Sequence, residues 1–130
     1  MISIERDIEK KLTTFLCQGA IIGDEIMTVI HNLFESPSLH ENVLWDFSDA
    51  DSKDLHCVSI LGFAELVRKN ADKRSGGKTA IVAPQGVEFG LARMFETLVV
   101  TEDLPYEMSV FQNRIEAMGW LFPQQEAPST

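Results

Sequence analysis

The sequence predicts a single α/β domain built on a mixed β-sheet with packed helices. Three observations predict it. Short β-rich runs at residues 43–47, 79–83 and 106–112 alternate with helical stretches, as in parallel sheets joined by crossovers. The stretches between them repeat apolar residues with the 3.6-residue period of an amphipathic helix. The 130 residues contain no repeat and no internal linker, a length that suits one domain. The expected order is β-β-α-β-α-β-α-β-α, with one domain over residues 1–122 and a disordered tail over 123–130.

At the N-terminus, residues 2–5 suit a short edge strand and residues 11–19 a longer one around Leu12, Phe15, Leu16 and Cys17, together a hairpin. After Gly23, Asp24 can cap a helix whose face is Ile22, Ile26, Val29, Ile30 and Leu33, stopped by Ser36-Pro37. Val43-Leu44-Trp45-Asp46-Phe47 is nearly all apolar, as an interior strand covered on both faces should be, and a polar loop over residues 48–54 follows it. Asp54 or Ser52 can cap the second helix. Its stripe is Cys57, Ile60, Leu61, Ala64 and Val67, and its basic end at Arg68 and Lys69 suits a helix C-terminus before Ser75-Gly76-Gly77.

Thr79-Ala80-Ile81-Val82-Ala83 reads as a buried parallel strand ended by Pro84. Val87, Leu91, Met94, Phe95 and Leu98 outline a third helix. Gly90 inside that helix costs about 1 kcal/mol against alanine, which suggests a close backbone approach near Arg93. A last strand ends at Gln112, and Asn113-Arg114-Ile115-Glu116, a capping-box variant, opens a short helix through Trp120.

Composition narrows the function classes. The two cysteines, Cys17 and Cys57, lie in apolar stretches and read as core residues of a cytoplasmic protein without disulfides. The opening residues lead us to expect no secretory leader, and no apolar run approaches the ~20 residues that span a bilayer. Eleven Lys and Arg against 20 Asp and Glu leave a net charge of -9. That charge argues against nucleic acid and membrane surfaces and favours a basic protein surface or a cationic ligand.

The candidate chemistry is incomplete at each place it begins. Asp46, Asp49, Asp51 and Asp54 sit at the strand-to-helix edge where open α/β sheets bind ligands. A calcium loop starting at Asp49 would put Leu55 where glycine is needed and Ile60 where the bidentate glutamate belongs, so that motif is rejected. Solvated carboxylates and a helix cap account for most of the cluster. Ser75-Gly76-Gly77-Lys78-Thr79 imitates the end of a P-loop, but it precedes a strand instead of following one.

His56 and Cys57, adjacent on a helix, point about 100° apart and make no catalytic pair. The three histidines lack zinc-ligand spacing. Arg93 can hold a carboxylate or phosphate bidentately, or simply pair with Glu96. Trp45 suits the core, and Trp120 beside Leu121 and Phe122 suits an apolar patch for a partner or a second copy of the chain.

With these residues placed, the chain resembles the bacterial SpoIIAA-like proteins of the STAS and CRAL-TRIO-like superfamily, from Leu12 to Leu121. The residues that carry the resemblance are the two central strands above, Phe89-Gly90-Leu91-Ala92-Arg93-Met94-Phe95-Glu96, Val110-Phe111, Glu116-Ala117 and Trp120-Leu121. The resemblance implies a non-catalytic regulatory module that binds a protein partner. Anti-sigma factor antagonists of that family carry an Asp-Ser-Ser-Gly-like stretch whose serine is phosphorylated to release a partner. Asp51-Ser52 matches its start and Lys53-Asp54 does not match its end, and Ser48 is a second candidate for such a switch.

Lipid-transfer relatives of the fold imply the competing reading, a pocket for a small apolar or anionic ligand lined by Phe63, Phe89, Met94 and Phe95, with Arg93 at its mouth. No acid, base and nucleophile set is complete, so neither an enzyme nor a cofactor is expected. The expected binding surfaces are the acidic loop, Gly90 and Arg93, with Ser52 as the candidate switch.

Overall fold

The computed structural model describes residues 1–101 and 103–123. The elements follow the expected order: β1 (Ile2–Asp7), β2 (Leu12–Ala20), α1 (Gly23–Phe34), β3 (Asn42–Asp51), α2 (Cys57–Asn70), β4 (Lys78–Val82), α3 (Val87–Val99), β5 (Glu107–Phe111) and α4 (Arg114–Leu121). A single 3-10 turn, Ala71–Lys73, extends α2. Of the expected tail, residues 124–130 lie outside the described residues.

The sheet order is β1-β2-β3-β4-β5. The N-terminal hairpin pairs β1 antiparallel to β2, and β2 to β5 run parallel, because each later strand is reached through a helix. Alternation along the strands divides the apolar residues between two cores. Phe15, Cys17, Val43, Trp45 and Ile81 pack with α1, α2 and α3, whereas Leu12, Leu44, Ala80 and Val82 pack with Ala117 and Leu121 of α4. Burial from both sides is why Val43, Leu44 and Trp45 form a continuous apolar run.

Several local expectations are corrected. β3 does not stop at Phe47 but continues to Asp51, because the long β2 supplies partners through Ala20 after a register shift opposite Cys17. The expected loop therefore begins as strand. Neither Ser52 nor Asp54 caps α2. The helix starts later, at Cys57, with His56 as its N-cap and the Ser59 hydroxyl accepting from the His56 amide at 3.5 Å. Likewise Asp24 lies inside the first turn of α1, and the Glu25 carboxylate accepts from the amide of the N-cap Ile22.

Cys57, expected in the core, is exposed, as is Leu61, because the buried stripe of α2 is Ile60, Phe63, Ala64 and Val67. Gly90 admits no close approach: a Cβ there would meet nothing within 4 Å. The close approach belongs to Gly77, where φ is +84° and a Cβ would lie 2.8 Å from the carbonyl oxygens of both His40 and Glu41. The cap of α4 is as expected, with the Asn113 side chain accepting from the Glu116 amide at 2.9 Å.

Candidate functional site

Beneath the three helices the larger core does not close. A cavity of about 100 Å³ lies between the sheet and helices α1, α2 and α3. The sheet contributes Trp45, Phe47, Thr79, Ile81 and Met108, α1 contributes Ile26 and Ile30, α2 contributes Ile60, Phe63 and Val67, and α3 contributes Leu91, Ala92 and Phe95. The cavity is half-open, because the helix layer does not cover this part of the sheet fully.

Helix α3 explains it. Only Val99 of this helix is buried, and Leu91, Ala92 and Phe95 stay partly exposed where α2 is fully seated. The floor is aromatic. Trp45 packs against Phe15 with ring centroids 4.6 Å apart and stacks on Phe47 at 6.1 Å and 5°. Of the pocket-lining residues expected from sequence, Phe63 and Phe95 are present, while Phe89 and Met94 pack against the core elsewhere.

The cation at this cavity is Arg74, not Arg93. Arg74 is 2% exposed and lines the cavity beside Thr79 and Tyr106. Its Nη1 donates to Thr79 Oγ1 at 2.6 Å and its Nη2 to the Glu41 carbonyl at 3.0 Å, while Cζ lies 4.1 Å above the Tyr106 ring. Burial pushes the guanidinium down to about 10, opposed by the charge interaction with Tyr106. Arg93 is exposed, lies outside the cavity lining, and pairs with Glu96 at 3.4 Å one turn along α3.

The acidic cluster does not converge. Asp46 faces the opposite layer, where it is buried, accepts from the Ser48 amide at 2.9 Å and pairs with Arg114 of α4 at 3.3 Å. Asp49 and Asp51 are exposed at the end of β3, with Asp51 accepting from the Lys53 amide, and Asp54 is exposed in the loop. Among the described residues no group of three His, Cys, Asp or Glu side chains is placed to hold a metal ion. Ser52 is 6% exposed and lines the cavity at the end away from Arg74.

Trp120 is half-buried on the α4 side, against Phe111 at 5.5 Å, and its carbonyl accepts from Lys78 Nζ. Among the described residues no helix is long and apolar enough to cross a membrane.

Sequence reasoning missed Arg74 because it sits in a polar, basic turn, Lys73-Arg74-Ser75, where a solvated arginine is the ordinary expectation. The available signal was the following Gly76-Gly77 pair. Positive φ at both residues and the approach of Gly77 to residues 40 and 41 bring the Glu41 carbonyl to the guanidinium.

No protein-family model and no curated protein matches the chain. Among solved structures it is similar to an uncharacterized DUF3478-family protein with a SpoIIAA-like fold from Shewanella loihica PV-4, at a TM-score of 0.55 and 19% identity over 93% of this chain and 92% of the other. It also matches the anti-sigma factor antagonist SpoIIAA in its unphosphorylated form, at a TM-score of 0.46 and 16% identity over 92% and 96%. At such identities the first likeness speaks to architecture alone. A five-stranded mixed sheet carrying three helices on one face and one on the other is, in this chain, the SpoIIAA-like fold.

Proposed function

We propose that this protein is a non-catalytic binding module whose α1–α3 cavity receives a small, largely apolar molecule. The observation that carries this reading is a half-open pocket of about 100 Å³ with almost wholly apolar walls, let into an otherwise packed core. Pockets that bind small molecules are mostly apolar with a few placed polar groups, and here those are Arg74, Thr79, Tyr106, Ser52 and Glu88. The half-seated α3 is the element that yields to admit a ligand.

The reading is tested by titrating 1-hexanol and benzene while following amide shifts of Trp45, Ile81 and Ala92. Saturable shifts confined to the cavity are expected, and the filling substitution Ala92→Phe should abolish them. Shifts spread over the surface, or none up to the solubility limit, would end the proposal.

A second reading, a regulatory module that binds a protein, is favoured by a different observation. Val58 is 78% exposed, and Ile22, Leu61 and Val87 are exposed with it at the starts of α1, α2 and α3, close to the acidic end of β3. A partner there would offer apolar side chains and basic charge, and a second copy of this chain is the less suited occupant because it is acidic itself. Phosphorylation of Ser52 would act on this surface only after the loop shifted to expose the buried serine. Val58→Asp and Leu61→Asp should then release a co-purifying partner without changing the melting temperature. A partner retained by both variants would exclude this surface.

A further inference from the structure

Apolar walls do not account for Arg74. A guanidinium has five N–H donors, and hydrogen bonds to Thr79 Oγ1 and the Glu41 carbonyl use one on each terminal nitrogen. Its Nε is buried without any acceptor. Among the described residues no carboxylate pairs with it: the Glu41 side chain turns to Arg6, and Glu88, the acid among the lining residues, forms no ion pair with it. Among the described residues every partner of Arg74 is neutral. Buried charges are ordinarily paired, because an uncompensated one is strongly unfavourable in a low-dielectric interior.

The position of this charge is informative too. Arg74 and Thr79 lie at the start of β4, whereas Phe47 lies one residue beyond the last β3–β4 pair, Asp46 and Val82. Thr79 pairs with Val43, so four residues of strand, roughly 13 Å at the usual rise, separate the two ends. The cavity thus runs along the strands with its cation at one end and aromatic and aliphatic walls along its length.

Resting on the reading of the cavity as a receptor, we infer that its ligand is a small monocarboxylate, with the carboxylate on Arg74 and a compact apolar body lying along Trp45 and Ile81 toward Phe47. A carboxylate matches the planar fork of a guanidinium edge in both spacing and charge. A phosphate monoester brings a second negative charge and a third oxygen to a site whose lining holds one cation. The pocket is half-open, so it bounds only the part of the ligand it buries. Its volume of about 100 Å³ is below the ~150 Å³ of an enclosed cavity that accepts benzene, which suits a short acyl chain or one small ring.

The test uses the whole chain carrying Trp120→Phe, so that fluorescence reports Trp45 in the cavity. Hexanoate, hexanamide and 1-hexanol are titrated at neutral pH, then repeated with Arg74→Gln and Arg74→Lys. Hexanoate should bind at least about tenfold more tightly than hexanamide, a ratio equivalent to ~1.4 kcal/mol. That preference should vanish in Arg74→Gln, with 1-hexanol affinity unchanged, and survive in part in Arg74→Lys. Equal affinity for the acid and the amide in the parent chain would overturn the inference while leaving the receptor reading intact. Failure of all three probes would remove both.

If Arg74→Gln does not fold, the parent chain still decides the matter by proton–proton contacts. The hexanoate α-methylene beside the Tyr106 ring supports the inference, and beside Phe47 it refutes it.

Discussion

Gly77→Ala is the substitution that most directly probes how Arg74 is held. A Cβ at this position would lie 2.8 Å from two backbone carbonyl oxygens, those of His40 and Glu41, and 3.1 Å from Arg74 Nη2. None of these is the free end of a flexible side chain on the surface, so the 40–41 segment must retreat and loosen the 3.0 Å bond from Arg74 to the Glu41 carbonyl. A left-handed φ costs a non-glycine residue about 1–2 kcal/mol, and a smaller unfolded-state entropy offsets about half of that. Weakening a hydrogen bond to a charged group adds about 1.5–3 kcal/mol. The sum is about 3 kcal/mol.

Gly76→Ala is the matched control. Its φ is +81°, yet a Cβ there meets nothing within 4 Å, so only the backbone term of about 1 kcal/mol remains. Urea denaturation of both variants reads the difference as a shift in midpoint at constant slope. By thermal melting the gap of about 2 kcal/mol corresponds to roughly 6–12 °C for a chain of this size. Equal destabilisation by the two substitutions would refute the close-approach argument and, with it, the account of why Arg74 is buried.

The remaining predictions concern single residues. Cys17 is fully buried and its thiol is pushed up to about 12, chiefly by burial. The unfolded chain therefore releases this proton first, and its contribution to stability is whole below pH 9 and declines as pH rises from 9 toward 12. At pH 10 the loss is about 1.4 kcal/mol, and Cys17→Ala should lack this part of the slope. An aromatic disulfide reagent should label exposed Cys57 at once and Cys17 only on unfolding, and rapid labelling of both would contradict the packing. Ser52→Asp should destabilise by about 3 kcal/mol or more by burying an unpaired charge, whereas exposed Ser48→Asp stays within about 0.5 kcal/mol; equal melting temperatures would place Ser52 on the surface instead. Arg93→Ala should change stability by less than about 0.5 kcal/mol, because the Arg93 side chain is more than half exposed where it pairs with Glu96. It should also leave hexanoate affinity unchanged, and a clear loss of affinity would return Arg93 to the site.

The alternation of strands and helices was legible in the sequence because burial imposes a local period. Ile26, Ile30 and Leu33 repeat with the helix, and residues 43–45 are apolar throughout because both faces of β3 are covered. The cap of α4 was legible for the same reason, since Asn113 and Glu116 satisfy each other within one turn. Decisions made by distant partners were not legible. β3 extends through four further residues because β2 is there to pair with it, and Asp46 leaves the acidic cluster because Arg114 waits on the other face.

The same distinction separates the two arginines. Arg93, on a regular helix, was easy to nominate and meets only its neighbour Glu96. Arg74 is buried by Glu41, Thr79 and Tyr106, which come from three different segments, so no local pattern announces it. Local periodicity set where helices and strands alternate and which of their faces are apolar. Tertiary packing alone decided that α3 would sit half-seated, that a cavity would remain beneath it, and that a buried arginine with only neutral partners among the described residues would stand at its end, because each depends on contacts between segments far apart in the chain.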